Sequence, residues 1–142
     1  MGLFFIMQSH THTFPKSEHL TGKIAIDNLF QQGEAFVVYP IRVVYKMVAT
    51  NEENKTIQVL ISVPKKRFKH AVDRNRYKRL IRESYRLNKE ILKNHTNNAD
   101  YQLHIAFCAV SNDIPTFDVL QQKMQKGLAR LSEQLLLKQE KE

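Results

Sequence analysis

Hydrophobic positions recur along the chain with two different periods, and these periods predict a definite order of helices and strands. Period-two alternation, typical of strands with one buried face, occurs at residues 41–49, 56–63 and 101–110, and the apolar residues 36–39 predict a further short strand. Spacing of three and four residues, typical of amphipathic helices, occurs at residues 17–32, from about residue 71 onward, and at 116–139. The pattern therefore predicts an α+β fold in which a single four-stranded sheet packs with three helices, in the order α-β-β-β-α-β-α.

Capping and turn residues set the predicted boundaries. Ser17 and Thr116 are suitable N-caps because their hydroxyls can accept a bond from a free backbone N–H group. Gly33 is a suitable end for the first helix, and Pro40 separates the first two strands because proline cannot donate to a ladder. The polar residues 50–55, TNEENK, predict a hairpin between the second and third strands.

The middle helix lies in the stretch KKRFKHAVDRNRYKRLIRESYRLNKEILK, residues 65–93. At about 100° per residue, one face is mostly apolar and consists of Tyr77, Leu80, Ile81, Ser84, Leu87, Asn88 and Ile91. The opposite arc is basic and consists of Arg74, Lys78, Arg79, Arg82, Arg86, Lys89 and Lys93. The helix is therefore expected to pack on a core with one side and to present cations with the other.

The positive charge of the chain is a local feature of this stretch. It holds twelve of the 22 Lys and Arg residues and three of the 14 acids, a net charge of +9, whereas the whole chain carries +8. Such cations repel one another along a helix, so a polyanionic partner explains their concentration. A solvated basic face is the alternative, although solvated faces usually mix charges of both signs.

Length and composition predict one globular domain. The chain has 142 residues and 42% hydrophobic residues, and its apolar runs are shorter than the roughly 20 residues that a membrane helix needs. Residues 1–13 are expected to form a loose N-terminal tail and residues 14–142 a single domain, for which the pI near 9.7 favours a nucleic acid as the partner. One cysteine, Cys108, excludes an intrachain disulfide and suggests the reducing cytoplasm.

Catalytic motifs are sparse in this sequence. The acids are scattered, there is no zinc spacing or phosphate-binding glycine loop, and Cys108 lies in an apolar strand that favours a buried, inert thiol. A histidine pair acting as acid and base stays open, and the single variants His70→Ala and His104→Ala would test whether a histidine is required for cleavage. The residues therefore favour binding chemistry over catalysis by the protein.

Residues 61–86 closely resemble the signature of the bacterial ribonuclease P protein component. The shared elements are Ser62-Val63, Lys65-Lys66, Ala71-Val72, Arg74-Asn75-Arg76 and Lys78 to Glu83. Weaker resemblance extends from Phe14 to the last helix. Members of this family assist a catalytic RNA that removes the 5′ leader of precursor tRNA, so the resemblance implies an endoribonuclease subunit without catalytic side chains of its own.

The same resemblance implies the partners and the site residues. The expected partners are the catalytic RNA and precursor tRNA, with no membrane and no obligate protein partner. Mg²⁺ is expected for the ribonucleoprotein, with no cofactor bound by the protein alone. The implied RNA-binding residues are Lys65, Lys66, Arg74, Asn75, Arg76, Lys78, Arg79, Arg82 and Arg86. The implied leader-binding aromatics are Phe30, Tyr45 and Phe36, with Lys78 and Arg82 lining the same cleft.

Two positions depart from the family pattern. Ile26 stands where an aromatic residue is frequent, and Arg67-Phe68-Lys69 stands where the turn often contains glycine. Three other functions remain as alternatives: a general RNA-binding or ribosome-associated module, a protein-only nuclease, and a protein that binds membrane surfaces through its basic helix.

Overall fold

A computed structural model describes residues 14–49, 57–95 and 101–141 of the chain. The predicted tail, residues 1–13, and the polar turn, residues 50–55, lie outside these ranges. The helices are α1 (Lys23–Gln32), α2 (Ala71–Asn88) and α3 (Phe117–Lys141), and the strands are β1 (Glu34–Val38), β2 (Ile41–Ala49), β3 (Ile57–Ser62) and β4 (Tyr101–Ala109). Short 3-10 segments cover Lys16–Glu18 and Lys89–His95. The predicted order of helices and strands is confirmed.

The four strands form one mixed sheet in the order β1-β2-β4-β3. β1 pairs antiparallel with β2, β2 antiparallel with β4, and β3 parallel with β4. The predicted hairpin of β2 with β3 is therefore wrong, because β4 lies between them. β4 occupies this central place because its residues from Leu103 to Phe107 are buried on both faces, as a strand covered on two sides requires.

The two faces of the sheet pack against different helices. The larger core joins α2 and α3 to the residues that point to one face of the sheet, among them Val43, Ile105 and Phe107. The smaller core joins α1 to residues that point to the other face of the sheet, Val44 and Ala106. Since successive side chains of a strand point to opposite faces, the alternation in the sequence sorts residues between these two cores. The helix with the basic stretch thus lies opposite α1.

The first helix begins later than predicted. Ser17 lies in the 3-10 segment and not at an α-helical N-cap; α1 starts after Gly22, whose φ of 95° favours glycine. Between them, the Leu20 N–H group donates to the Val59 carbonyl at 2.9 Å. This bond places the segment along the outer edge of β3, which a continuous helix from Ser17 could not do.

The buried face of α2 is also displaced from the prediction. Tyr77, Ile81 and Ser84 are buried as expected, but so is Tyr85, whereas Ile91, which lies in the 3-10 segment after α2, is 38% exposed. Tyr85 packs beside Phe107 of β4, with 5.4 Å between the ring centroids. Packing against the sheet and α3 therefore decides which side of α2 is buried. This side is rotated by about one residue from the side that the sequence pattern predicts.

Candidate nucleic-acid interface

The exposed side of α2 and the turn before it carry most of the predicted RNA contacts. The exposed members of this set are Lys65, Lys66, Asn75, Arg76, Arg79 and Arg82. Helical geometry places residues three and four positions apart on the same side, so Arg76, Arg79 and Arg82 form a row of fixed cations. Such a row matches the regular negative charge of an RNA backbone.

Arg74 and Arg86 are used differently from the exposed row. The Arg74 Nη1 atom donates to the carbonyls of Phe68 and Lys69, at 2.9 and 3.0 Å. Arg86 Nε donates to a Glu83 carboxylate oxygen at 3.1 Å, and this bond lowers the pKa of Glu83. The family resemblance implies the same role for all these arginines, whereas in the structure Arg74 holds a turn and Arg86 is paired with an acid; RNA contacts by these two stay predictions.

The turn without glycine is fixed by an aromatic residue. Phe68 is buried and meets the Tyr77 ring edge-on, with 5.5 Å between centroids and an interplanar angle of 86°. Together with the two bonds from Arg74, this contact anchors the turn at both its side chain and its carbonyls. Lys65 and Lys66, which precede the turn, are exposed next to this anchored point.

A groove of about 210 Å³ lies between α2, β3 and the N-terminal segment. Its lining is aromatic, aliphatic and cationic and includes Phe14, His19, Leu60, Ile61, Lys78 and Arg82. Lys78 and Arg82 line one groove, but the aromatic residues predicted to share a cleft with them, Phe30, Tyr45 and Phe36, do not line it. The rings of Phe14 and His19 lie 4.3 Å apart by centroid, at an interplanar angle of 55°, so the groove combines two tilted, contacting rings with two cations.

The N-terminal wall of this groove is held in place by contacts with α2 and the residues after it. Lys89 Nζ lies 3.0 Å from a Glu18 carboxylate oxygen in a largely covered ion pair. Phe14 also meets Tyr85 edge-on, with 5.5 Å between centroids. His19 Nε2 is buried without a hydrogen-bond partner among the described residues. Phe14 and His19 were missed from the sequence because neither belongs to a local motif; the fold alone brings them to the cations.

The three predicted leader-binding aromatics occupy different environments. Phe30 is 43% exposed on α1, so it is not a core residue, while Phe36 and Tyr45 are only 7% and 1% exposed. The expectation that Phe36 and Tyr45 offer open faces is therefore wrong. Both residues belong to the larger core, on the face of the sheet that α3 covers.

Side chains of α3 close over this aromatic pair. The Arg130 guanidinium carbon lies 4.5 Å from the Phe36 ring centroid, and Lys138 Nζ lies 5.4 Å from that of Tyr45. The Tyr45 hydroxyl donates to a Glu34 carboxylate oxygen at 2.7 Å and also contacts Gln134. Burial, followed by the bond to Glu34, raises the pKa of Tyr45. These contacts make Tyr45 part of the packing between α3 and the sheet.

The described residues contain little that supports catalysis by side chains. Within residues 14–49, 57–95 and 101–141, no three His, Cys, Asp or Glu side chains come together as a metal site. Burial, with a smaller effect of Lys46, lowers the pKa of His104, and burial raises the pKa of the Cys108 thiol to about 11. The thiol is thus protonated at neutral pH, as predicted for an inert cysteine.

A membrane role finds no support in the helices. Across the part of the chain that the structure describes, none of the helices is long and apolar enough to cross a bilayer. The apolar face of α2, which a membrane-surface protein would turn toward lipid, packs instead in the larger core.

The family model and the curated relatives that match this chain all belong to one protein family. The family model for ribonuclease P matches residues 14–132. A ribonuclease P protein component from Porphyromonas gingivalis is 43% identical over 122 residues, covering 86% of this chain and 88% of the relative. Another, from Chlorobaculum tepidum, is 33% identical over 134 residues, covering 89% and 87%.

Solved structures agree at the level of the fold. The ribonuclease P protein from Thermotoga maritima superposes with a TM-score of 0.61 at 20% identity, covering 80% of this chain and 96% of that one. The protein from Staphylococcus aureus gives 0.56 at 20% identity, covering 82% and 96%. The basic signature, the α+β fold and the matched length together show that this chain belongs to the family of ribonuclease P protein components.

Proposed function

We propose that this chain is the protein subunit of a cytoplasmic ribonuclease P, where it binds the catalytic RNA and the 5′ leader of precursor tRNA. Membership of the family assigns the chain to tRNA processing as part of an endoribonuclease ribonucleoprotein. The observation that carries the finer proposal is the presence of two adjoining surfaces that share Arg82: an exposed row of arginines and an aromatic, cationic groove.

The row of Arg76, Arg79 and Arg82, with Lys65 and Lys66 before it, suits the folded catalytic RNA. These cations are exposed and sit on a rigid helix, so they can meet several phosphates without ordering a flexible segment first. Phosphate contacts of this kind dominate affinity and release counterions. Asn75 lies in the same exposed row and, being neutral, would contribute a hydrogen bond.

The groove between α2 and β3 suits the single-stranded leader. Unpaired bases stack on aromatic rings while cations follow the phosphates, and Phe14, His19, Lys78 and Arg82 provide both. Phe30 is exposed on α1 but does not line this groove, so its contact with the leader stays a prediction. Tyr45 and Phe36 are left out of this proposed site.

In this proposal the RNA carries out the hydrolysis and holds the Mg²⁺ that the reaction requires. Within the described residues no three His, Cys, Asp or Glu side chains come together, and the proposal assigns no Mg²⁺ ligand to the protein. The protein's own contribution is to hold the leader and to place cations beside RNA phosphates.

The test is cleavage of precursor tRNA by the cognate catalytic RNA at low Mg²⁺, with and without the protein. The wild-type protein should stimulate cleavage, and Lys78→Ala/Arg82→Ala should lose most of this effect. Lys123→Ala/Lys126→Ala removes the same number of charges from α3, away from the groove, and should stimulate normally. If both double variants lose stimulation equally, only total charge matters and the groove is not a specific site.

A second measurement separates the leader from the rest of the RNA. Phe14→Leu keeps apolar volume but has no π face, so binding of precursor tRNA to the assembled enzyme should weaken by roughly 1 kcal/mol, the low end for a base stack. Mature tRNA should bind as before. Equal losses for precursor and mature tRNA would place Phe14 in the fold and not in the leader site.

A further inference from the structure

A tyrosine outside every predicted site projects into solvent at one end of the sheet. Tyr39 is 63% exposed and, with Pro40, forms the two-residue turn between β1 and β2. The pairing of Val38 with Ile41 closes this turn on both sides. The ring is therefore presented from a short connection within the sheet and not from a long loop.

Three consecutive residues after β4 bring this turn next to the turn of the basic stretch. The Val110 N–H group donates to the Pro40 carbonyl at 2.9 Å, and Arg67 Nη1 donates to Asn112 Oδ1 at 3.0 Å. Val110 holds Pro40 and Asn112 holds Arg67, and these two residues are two positions apart in the chain. Because neighbouring Cα atoms are about 3.8 Å apart, the Cα atoms of Val110 and Asn112 are separated by about 7.6 Å at most. Tyr39 and Arg67 consequently lie at the same end of the molecule.

Ser111, which lies between Val110 and Asn112 in the chain, attaches this arrangement to the core. The Ser111 hydroxyl is 2.7 Å from the buried Tyr77 hydroxyl and donates to the Asp113 carbonyl at 2.7 Å. Burial chiefly raises the pKa of Tyr77; of the smaller effects, Tyr39 raises it and Arg67 lowers it. Both side chains thus lie within electrostatic reach of one buried hydroxyl, which agrees with the hydrogen-bond geometry.

The local charge favours an anionic ligand. Lys65 and Lys66 are exposed beside Arg67, and Asp113 is the acid of the neighbouring turn. A guanidinium has five N–H donors, so the bond to Asn112 orients Arg67 without using all of them. An oriented guanidinium binds phosphate oxygens in a defined geometry, and an exposed tyrosine ring provides a face for an unpaired base.

We propose that Tyr39 and Arg67 form a binding site for one unpaired RNA nucleotide, with the base stacked on the Tyr39 ring and the phosphate held by Arg67. This site rests on the proposed function but shares no lining residue with the groove beside β3. It uses the turn in which this chain has Arg67 and Phe68 where the family often has glycine. The nucleotide belongs either to the catalytic RNA or to the precursor, and the test distinguishes the two.

The test compares Tyr39→Ala with Tyr39→Phe in two binding measurements. The first is the dissociation constant of the protein for its cognate catalytic RNA, and the second is that of the assembled enzyme for precursor tRNA. Removal of a base stack should weaken one of the two by roughly 5- to 150-fold in Tyr39→Ala. Tyr39→Phe keeps the ring face and should stay within about twofold of the wild type.

Arg67 provides the second half of the test. Arg67→Ala should weaken the same measurement, and the double variant with Tyr39→Ala should lose less than the product of the two single losses, because the two residues hold one nucleotide. Circular dichroism and thermal unfolding of Tyr39→Ala should match the wild type, since the side chain is exposed.

The proposal is overturned if Tyr39→Ala binds both RNAs as the wild type does, or if Tyr39→Phe loses as much as Tyr39→Ala. It is also overturned if the losses of Tyr39→Ala and Arg67→Ala multiply independently. Each of these results leaves stimulation of cleavage by the wild-type protein intact, so failure of this site is distinguishable from failure of the proposed function.

Discussion

Arg74→Ala and Arg79→Ala make the same chemical change at two arginines of one helix, but the structure predicts opposite consequences. Arg74 donates two hydrogen bonds to the carbonyls of Phe68 and Lys69, whereas Arg79 is exposed on the outer side of α2. Alanine and arginine have similar helix propensities, so the difference between the variants reports the contacts of each side chain.

The expected magnitudes follow from those contacts. A hydrogen bond from a charged donor contributes about 1.5–3 kcal/mol when buried, and Arg74 is only partly covered. Loss of both bonds should therefore lower the free energy of unfolding by about 1–2 kcal/mol, or roughly 2–8 °C in Tm for a chain of this size. Arg79→Ala should change the free energy of unfolding by less than about 0.5 kcal/mol.

RNA binding should show the reverse order. Arg79→Ala removes a phosphate contact, so the slope of log affinity against log salt should fall by roughly 0.7–0.9. Arg74→Ala should keep a slope close to that of the wild type, with an affinity loss that comes from a loosened turn. Urea unfolding and filter binding from 50 to about 300 mM salt measure both quantities. If Arg74→Ala unfolds like the wild type and lowers the slope as Arg79→Ala does, Arg74 is a phosphate ligand and the assignment from the structure is wrong.

Two further predictions concern buried groups. Tyr45→Ala should lower the free energy of unfolding by about 3–5 kcal/mol and Tyr45→Phe by about 1 kcal/mol in urea unfolding; a stable Tyr45→Ala that loses leader binding alone would restore Tyr45 to the leader site. His104 has a pKa below its ordinary value of 6.5 through burial and Lys46, so its stabilising effect is complete above pH 6.5 and is lost as the pH falls through the lowered pKa. Urea unfolding between pH 7.5 and 5 should therefore depend less on pH in His104→Gln, and identical pH profiles would exclude this role.

Local patterns in the sequence determined the elements and the charged surface. β2 spans residues 41–49 as predicted, and Leu120, Met124, Leu128, Leu131 and Leu135 are buried along α3 as its periodicity indicated. Thr116 caps this helix, with its Oγ1 accepting from the Val119 N–H group at 3.4 Å, although Val119 itself is exposed. These features depend on neighbours within one or two turns, so the sequence contains the information they need.

The signature also determined which helix carries the cations. The concentration of positive charge in residues 65–93 and the exposed row of Arg76, Arg79 and Arg82 are properties of one segment. Their exposure follows from amphipathicity, because the apolar side of the same helix is buried.

Tertiary structure alone decided which strands pair, which aromatics are covered and which arginines are free. The period of a strand separates two faces but does not say which face a later helix covers, and α3 covers the side that holds Phe36 and Tyr45. Arg74 and Arg79 are equivalent in the sequence, and only the course of the turn before α2 gives Arg74 two carbonyls to bind. Tyr39 and Arg67 lie 28 positions apart in the chain, and the segment after β4 brings their turns to the same end of the molecule, which no local pattern in the sequence can encode.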